Sequence, residues 1–367
     1  MSEVDVETVL ADPPGLRMAA LHTWMVQTLE DVATTAPLQA QLMAGGRSNV
    51  TYLLTQGQHE WILRRPPLGH VMESAHDMGR EHHVLSGLSR AGFPAPRPRA
   101  FCETPEVIGA PFMLMEYVHG RVVADAAGAA SLTEAEAGEV SAALVGTLGR
   151  LHEVDVEKAG LSSLGRPQGY LARQVRRWGK QWETTRTRDL PEIDRLLAWL
   201  DGQLPALPQQ APWSLVHGDF RLDNLILDEH SAEVRAVLDW EMSTLGDPVA
   251  DLAVSLVYWS RPDEPLRHAI PVAQGVTDGP GFWDRERIVQ EYADATSHPL
   301  DHLDFCIALA CLKLSVIMES IHFRNLAGQQ LGTAAGTDDL SMGVAAEALA
   351  RMGVAVAAGG GLAALSG

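Results

Sequence analysis

Residues 215–241 read LVHGDFRLDNLILDEHSAEVRAVLDWE, and this stretch decides the fold. It contains His217-x-Asp219, then Asn224, then two apolar runs, LILD and AVLD, and it closes on Asp239-Trp240-Glu241. The two runs are short, rich in β-forming residues and separated by a polar turn, so they pair as a hairpin. Pairing sets Asn224, before the first strand, beside Asp239, after the second. Two oxygen-bearing side chains distant in sequence thereby reach one rim. Immediately downstream, GDPVADLA places Asp247 and Asp251 in the first turn of a helix, where a carboxylate complements the helix N-terminus and supports the backbone of the preceding loop.

These residue types suit one chemistry. Phosphoryl transfer needs a carboxylate that orients and deprotonates an attacking hydroxyl, and oxygen ligands that hold Mg²⁺ against the nucleotide phosphates. Asp219 fits the first role, Asn224 and Asp239 the second. A lone His-x-Asp also occurs in ordinary loops, whereas His-x-Asp-x4-Asn followed by an Asp at a strand end has the layout of a kinase catalytic loop and its metal-binding turn. His217 is expected to pack and orient this loop. Glu241 is an acidic neighbour of the metal turn that acts through water or is simply exposed.

The rest of the chain is organised around that segment. Apolar positions at Leu21, Met25, Leu29 and Val32 predict an amphipathic helix over 16–33. QAQLMA, VTYLLTQ and HEWILRR follow as an antiparallel meander, with a Gly45-Gly46-Arg47-Ser48-Asn49 loop between the first two. After Pro66-Pro67 comes a helix ending at Gly92, then strands at 97–102 and at PFMLMEYV. From there the chain turns helical: a capped helix opening at Ser131 or Thr133, then 170–184, 190–201, 248–260, 284–295 and 302–326. This is an α+β chain: a small antiparallel-sheet N-lobe with one helix, and a large, mostly helical C-lobe. The expected boundaries are an N-terminal helical extension (1–34), the N-lobe (35–118), the C-lobe (119–350) with an insertion at about 155–210, and a flexible low-complexity tail (351–367).

Composition narrows the partners. The 367 residues carry 28 Lys+Arg against 47 Asp+Glu, a net charge of −19, which argues against a nucleic-acid partner. By the sequence pattern no apolar run is expected to approach the ~18–20 residues of a membrane span, and the opening MSEVDVE is the reverse of a basic leader, so no membrane partner and a cytoplasmic location are expected. Cys102, Cys306 and Cys311 are too few and too irregular for a disulfide framework or zinc site, and Cys306 with Cys311 reads as core packing.

With GGRSN, ILRRPP, a helix bearing Glu81, MEYVHG, HGDFRLDN and VLDWEMSTLGDPVADLA in this order, the chain resembles the aminoglycoside phosphotransferase and choline kinase group of small-molecule kinases. It is most similar to the branch whose domain is fused to some acyl-CoA dehydrogenases. The resemblance implies a bilobal protein-kinase-like fold, a nucleotide held between lobes, a hinge around Glu116, Val118 and Gly120, and Mg²⁺-dependent phosphate donation from ATP or GTP to a hydroxyl of a small molecule. Gly46, Arg47, Ser48 and Asn49 form the expected phosphate loop, although a plain hairpin turn uses the same residues. Where such kinases carry a phosphate-gripping Lys, this chain has Arg64, with Glu81 as its expected partner; Arg grips bidentately and with a different geometry. An aminoglycoside-type antibiotic phosphotransferase and a nucleotide-binding pseudokinase are the alternative readings.

The acceptor is suggested by residues 166–188, which hold seven cationic side chains against Glu183 alone. At helical spacing Leu171, Val175, Trp178 and Trp182 share one face, and Arg173, Arg176, Arg177 and Lys180 share the opposite one. A solvated basic face explains this pattern, and so does a docking surface for an anionic acceptor such as a hydroxyacyl-CoA. A polycationic aminoglycoside fits it poorly.

Overall fold

Period-two burial builds the first sheet. In the computed structural model, which describes residues 12–43, 49–68, 77–208, 212–272, 274–328 and 339–366, strands β1 (Gln39–Leu42), β2 (Val50–Gln56), β3 (His59–Arg65), β4 (Pro98–Cys102) and β5 (Phe112–Glu116) form an antiparallel sheet in the order β1-β2-β3-β5-β4. Tyr52, Leu54, Trp61, Leu63, Phe112 and Leu114 share a buried face with Leu21 and Met25 of helix α1 (Met18–Thr28). The opposite parity carries Arg64, paired in register with Thr51 on β2 and Met113 on β5. Helix α2 (Met78–Ala91) lies between β3 and β4 in sequence. One compact unit takes the described residues of Met1–His83 with Pro96–Tyr117, and a second takes Val84–Ala95 with Val118–Gly367.

The second unit is helical around two short strand pairs. Helices α3 (Ala126–Ala130), α4 (Glu134–His152), α5 (Tyr170–Thr185) and α6 (Pro191–Gln203) precede the catalytic stretch. There β6 (Ser214–Val216) pairs with β9 (Thr244–Gly246), and β7 (Leu225–Leu227) with β8 (Val234–Val237), all antiparallel. Helices α7 (Pro248–Tyr258), α8 (Pro265–His268), α9 (Arg285–Ala295), α10 (Leu303–Leu326) and α11 (Asp339–Ala355) complete it. Of the two capping candidates for α4, Thr133 is the cap: its backbone N–H donates to Glu136 Oε2 at 2.8 Å while its hydroxyl accepts from the Glu136 N–H at 3.3 Å, the reciprocal capping box.

Two expectations are corrected here. The chain end is not a frayed tail but continues as helical turns through Ser366, with Val356 and Leu365 buried. Its small, apolar residues carry a weak amphipathic signal, and only packing orders them. Second, Leu303–Leu326 and Ser341–Ser366 are long and apolar enough to cross a membrane by length and composition. The first has 83% of its apolar window buried within the protein and runs through the core against α5, α6, α7 and α11; the second has 39%. Helix α10 is apolar around most of its circumference because it is enclosed on nearly every side, with Lys313 and Glu319 the buried charges within it.

Within the second unit, the segment after Val118 is tied to the β7–β8 hairpin. Arg121 exchanges two backbone hydrogen bonds with Leu227, at 2.9 and 2.8 Å. This approach has no room for a side chain one residue earlier, because a Cβ on Gly120 would stand 2.2 Å from the Leu227 carbonyl oxygen. Gly120→Ala is therefore expected to destabilise the protein by about 1–3 kcal/mol, measured as a lower urea midpoint with an unchanged denaturant slope.

Candidate active site

The loop between β6 and β7 is held largely by side chains that bond its backbone N–H and carbonyl groups. Asp251, on the first turn of α7, is buried and accepts the His217 N–H on Oδ2 at 2.6 Å and the Gly218 N–H on Oδ1 at 2.7 Å. His152 of α4 reaches the same Oδ2 through Nε2 at 3.3 Å. Burial pushes the Asp251 carboxyl up, but His152 and the amide bonds outweigh it and hold the group below the usual carboxylate range. Gly218 has φ +86°, and a Cβ there would meet the Met242 carbonyl oxygen at 2.8 Å, so the turn before Asp219 demands glycine.

His217 is fully buried against Trp240 and Phe220. Its Nε2 lies 2.8 Å from the Leu238 carbonyl oxygen, and its Nδ1 accepts the Asp219 N–H at 3.2 Å. Both ring nitrogens are thus engaged in setting the loop. Asn224 Nδ2 donates to the Asp219 carbonyl oxygen at 2.9 Å. The Leu238 N–H donates to the Asn224 carbonyl oxygen at 2.8 Å, extending the β7–β8 ladder by one step. The hairpin accordingly brings Asn224 and Asp239 to the same end. Asp239 is the one non-glycine residue with positive φ (+67°) among the described residues, a conformation that costs about 1 kcal/mol or more and recurs at functional sites. Glu241 follows in the single turn Trp240–Met242.

Three charged groups close the loop. Arg221 Nε donates to Asp219 Oδ2 at 3.1 Å and its Nη1 to Asp223 Oδ2 at 2.6 Å, while its guanidinium stacks on Tyr258 at 5.2 Å. Burial pushes the Asp223 carboxyl up, against the pull of Arg221. Arg221 itself is held more basic: burial opposes its charge, but Asp219, Tyr258 and Asp223 outweigh burial. Arg221 and Asp223 went unread in the sequence, although two opposite charges at i and i+2 inside the loop were the available signal.

In the first unit, Arg64 Nη1 pairs with Glu81 Oε1 at 2.6 Å, both largely buried. Asn49 is buried just ahead of β2. Gly46, Arg47 and Ser48 lie outside the described residues. Glu116, at the end of β5, is bound to the Arg97 main chain: Oε1 accepts the Arg97 N–H at 3.0 Å and its own N–H donates to the Arg97 carbonyl oxygen at 2.9 Å. Val118 belongs to the second unit.

A family model described as the phosphotransferase enzyme family matches residues 39–288. The chain belongs to that family. The chain is 35% identical over 301 residues to acyl-CoA dehydrogenase family member 10 of Mus musculus, covering 81% of the chain and 27% of the relative. It is 36% identical over 298 residues to family member 11 of Gallus gallus, covering 79% and 37%. The chain thus spans about a quarter to somewhat over a third of the length of these relatives. A solved structure from Ralstonia eutropha, described as a candidate aminoglycoside phosphotransferase, superposes with a TM-score of 0.78 at 30% identity, covering 94% of this chain and 98% of that one. An aminoglycoside phosphotransferase in complex with GDP and kanamycin shares the fold with a TM-score of 0.59 at 15% identity, covering 91% and 98%.

The basic stripe of the phosphotransferase is smaller than its sequence suggests. Leu171, Val175, Trp178 and Trp182 are buried as one seam of α5. Arg173, however, donates to the carbonyl oxygens of Arg166 and Gln168, so its guanidinium is spent on closing the start of its own helix. Arg176, Arg177 and Lys180 remain exposed, with Arg177 packed over the Trp178 ring at 5.1 Å. Downstream, Arg188 pairs with Glu319 at 3.2 Å.

Asp251 offers one carboxylate oxygen to each of two amides, and an amide side chain cannot do this without turning its NH₂ against an N–H. Asp251→Asn is expected to cost about 3–5 kcal/mol at pH 7. The folded-state carboxyl is more acidic than its unfolded counterpart near 3.9. Its contribution is therefore present above that value and lost as pH falls through the folded one. Urea titrations of both proteins across pH 3–7 should show the gap narrowing on the acid side.

Proposed function

We propose that the chain transfers the γ-phosphoryl group of ATP or GTP to the hydroxyl of a small anionic metabolite, a hydroxyacyl-CoA being the acceptor class. The observation that carries this reading is Asp219 beside the Asn224–Asp239 hairpin end, with its Oδ2 held by Arg221. Asp219 takes the proton of the acceptor hydroxyl, whose oxygen attacks the γ-phosphorus; the bond to the bridging oxygen breaks and the nucleoside diphosphate departs. His217 keeps the loop in register, and Glu241 supports the metal turn. In the first unit, Arg64, fixed by Glu81, is the group that would grip phosphate.

The donor set fits Mg²⁺. The bond from Asn224 to the Asp219 carbonyl uses only Nδ2, so the amide oxygen of Asn224 and the carboxylate of Asp239 serve as hard oxygen ligands. The ion, when bound, neutralises phosphate charge.

For the acceptor, Arg176, Arg177 and Lys180 favour an anion over a polycation. Relatives named as acyl-CoA dehydrogenase family members carry the matching stretch within longer chains, which supports a thioester of CoA.

Incubation with Mg²⁺–ATP and a panel of 3-, 4- and 5-hydroxyacyl-CoA thioesters, read by ADP release and product mass, is expected to yield a phosphorylated thioester. Asp219→Ala should lose at least about 100-fold in kcat with nucleotide binding retained by calorimetry; unchanged turnover overturns the base assignment. Kanamycin turned over faster than every thioester overturns the acceptor class. Reversing charge at Arg176 and Lys180 together should raise KM for the thioester severalfold while KM for ATP stays put.

A further inference from the structure

One cation in the core of the second unit reaches the loop that carries Asp219. Lys313 interrupts the apolar run LACLKLSVIM of α10 and is 8% exposed. A lone ammonium inside a core helix is costly unless its charge is met. Its Nζ donates to the carbonyl oxygen of Gly218, the residue immediately before Asp219. The charges that bear on it are Asp219 and Asp251, which favour the ammonium, and Arg177 of α5, which opposes it; burial is the largest influence and disfavours the charge.

Gly218 therefore lies between two opposite charges from two helices. Its N–H, in the peptide shared with His217, goes to Asp251 of α7. Its carbonyl, in the peptide shared with Asp219, goes to Lys313 of α10. That second peptide carries the Asp219 N–H, which His217 Nδ1 accepts at 3.2 Å. Glycine at φ +86° has two freely rotating peptide planes on either side, and here both are fixed. The plane next to Asp219 sets where its Cα, and hence its carboxylate, stands.

We infer that Lys313 is a positioning residue for phosphoryl transfer: it locks the Gly218–Asp219 peptide, holds the Asp219 carboxylate at its working position, and links the core helix α10 to the catalytic loop. This rests on the reading of Asp219 as the base. Lys313 makes its contribution through the loop backbone and does not touch the reacting atoms.

The test compares Lys313→Met, which removes donor and charge at similar volume, with Lys313→Arg, which keeps both, and Lys313→Gln, which keeps a donor alone. Each is measured for thermal midpoint, for kcat and KM with Mg²⁺–ATP and whichever thioester of the panel turns over, or water as the acceptor, and for amide exchange of the 215–223 segment. The Met chain is expected to keep its KM for ATP within about twofold while kcat falls about 100-fold, the scale of a slightly misplaced catalytic group. Exchange in 215–223 should be about tenfold faster than in the wild-type chain, with the Arg chain restoring most of both. A Met chain with lowered thermal midpoint but wild-type kcat and wild-type exchange in that segment makes Lys313 merely structural and overturns the inference. If the Met chain does not fold, wild-type kcat and exchange in the Gln chain overturn the role of the charge. If the wild-type chain releases no ADP with any acceptor or with water, the phosphotransfer reading fails, and exchange in the Met or Gln chain still decides whether Lys313 orders the loop.

Discussion

Much of the second unit is arranged around one buried carboxylate. Asp251 accepts the amides of His217 and Gly218 and a ring nitrogen of His152, gathering α4, α7 and the catalytic loop onto two oxygen atoms. An isolated carboxylate at this depth would neutralise itself; three donors keep it charged. Once it is charged, the turn at Gly218 is fixed, and the residues after it follow. Helix α7 adds a second tie one turn further on, where the Ser255 hydroxyl donates to the Phe220 carbonyl oxygen at 2.7 Å. Its N-terminus is braced in turn by Asp247, which caps the Val249 N–H at 2.9 Å and meets His302 Nε2 at 2.8 Å.

Ion pairs serve geometry in both units. Arg221 spans Asp219 and Asp223, and Arg64 holds Glu81, each with little exposure. Pairs of this kind add modest stability because desolvation offsets their attraction, but they specify which rotamer a charged side chain adopts. At Asp219 that orientation suits the base role proposed for it. At Arg64 the guanidinium sits on the strand parity opposite the apolar core and is tied to an acidic helix residue.

Parts of this architecture were legible in the chain because local chemistry dictates them. Alternation in VTYLLTQ and HEWILRR fixes a half-buried strand pair, and Thr133 with Glu136 fixes a helix start. The His217, Asp219, Asn224 and Asp239 spacing yields the hairpin that joins two oxygen-bearing side chains. Other parts were illegible for equally physical reasons. Residues 351–366 are mostly small and apolar, with no strong face to mark a helix, so the sequence reads as a flexible tail there; burial of Met352, Val356 and Leu365 orders them. Arg173 was counted with the basic stripe because helical spacing says which way a side chain leaves, not which carbonyl oxygens it meets.

The sequence by itself determined the α+β class, the hairpin geometry and the oxygen-bearing side chains at its end, because each depends on residues within one or two elements. The tertiary structure decided which charges meet the catalytic loop from afar. Asp251 and His152 stand 99 residues apart, and Lys313 reaches Gly218 across 95. No local pattern encodes such a meeting. A buried lysine and a solvated one are the same letter, and only the burial of α10 turns that letter into a fixed charge beside Asp219.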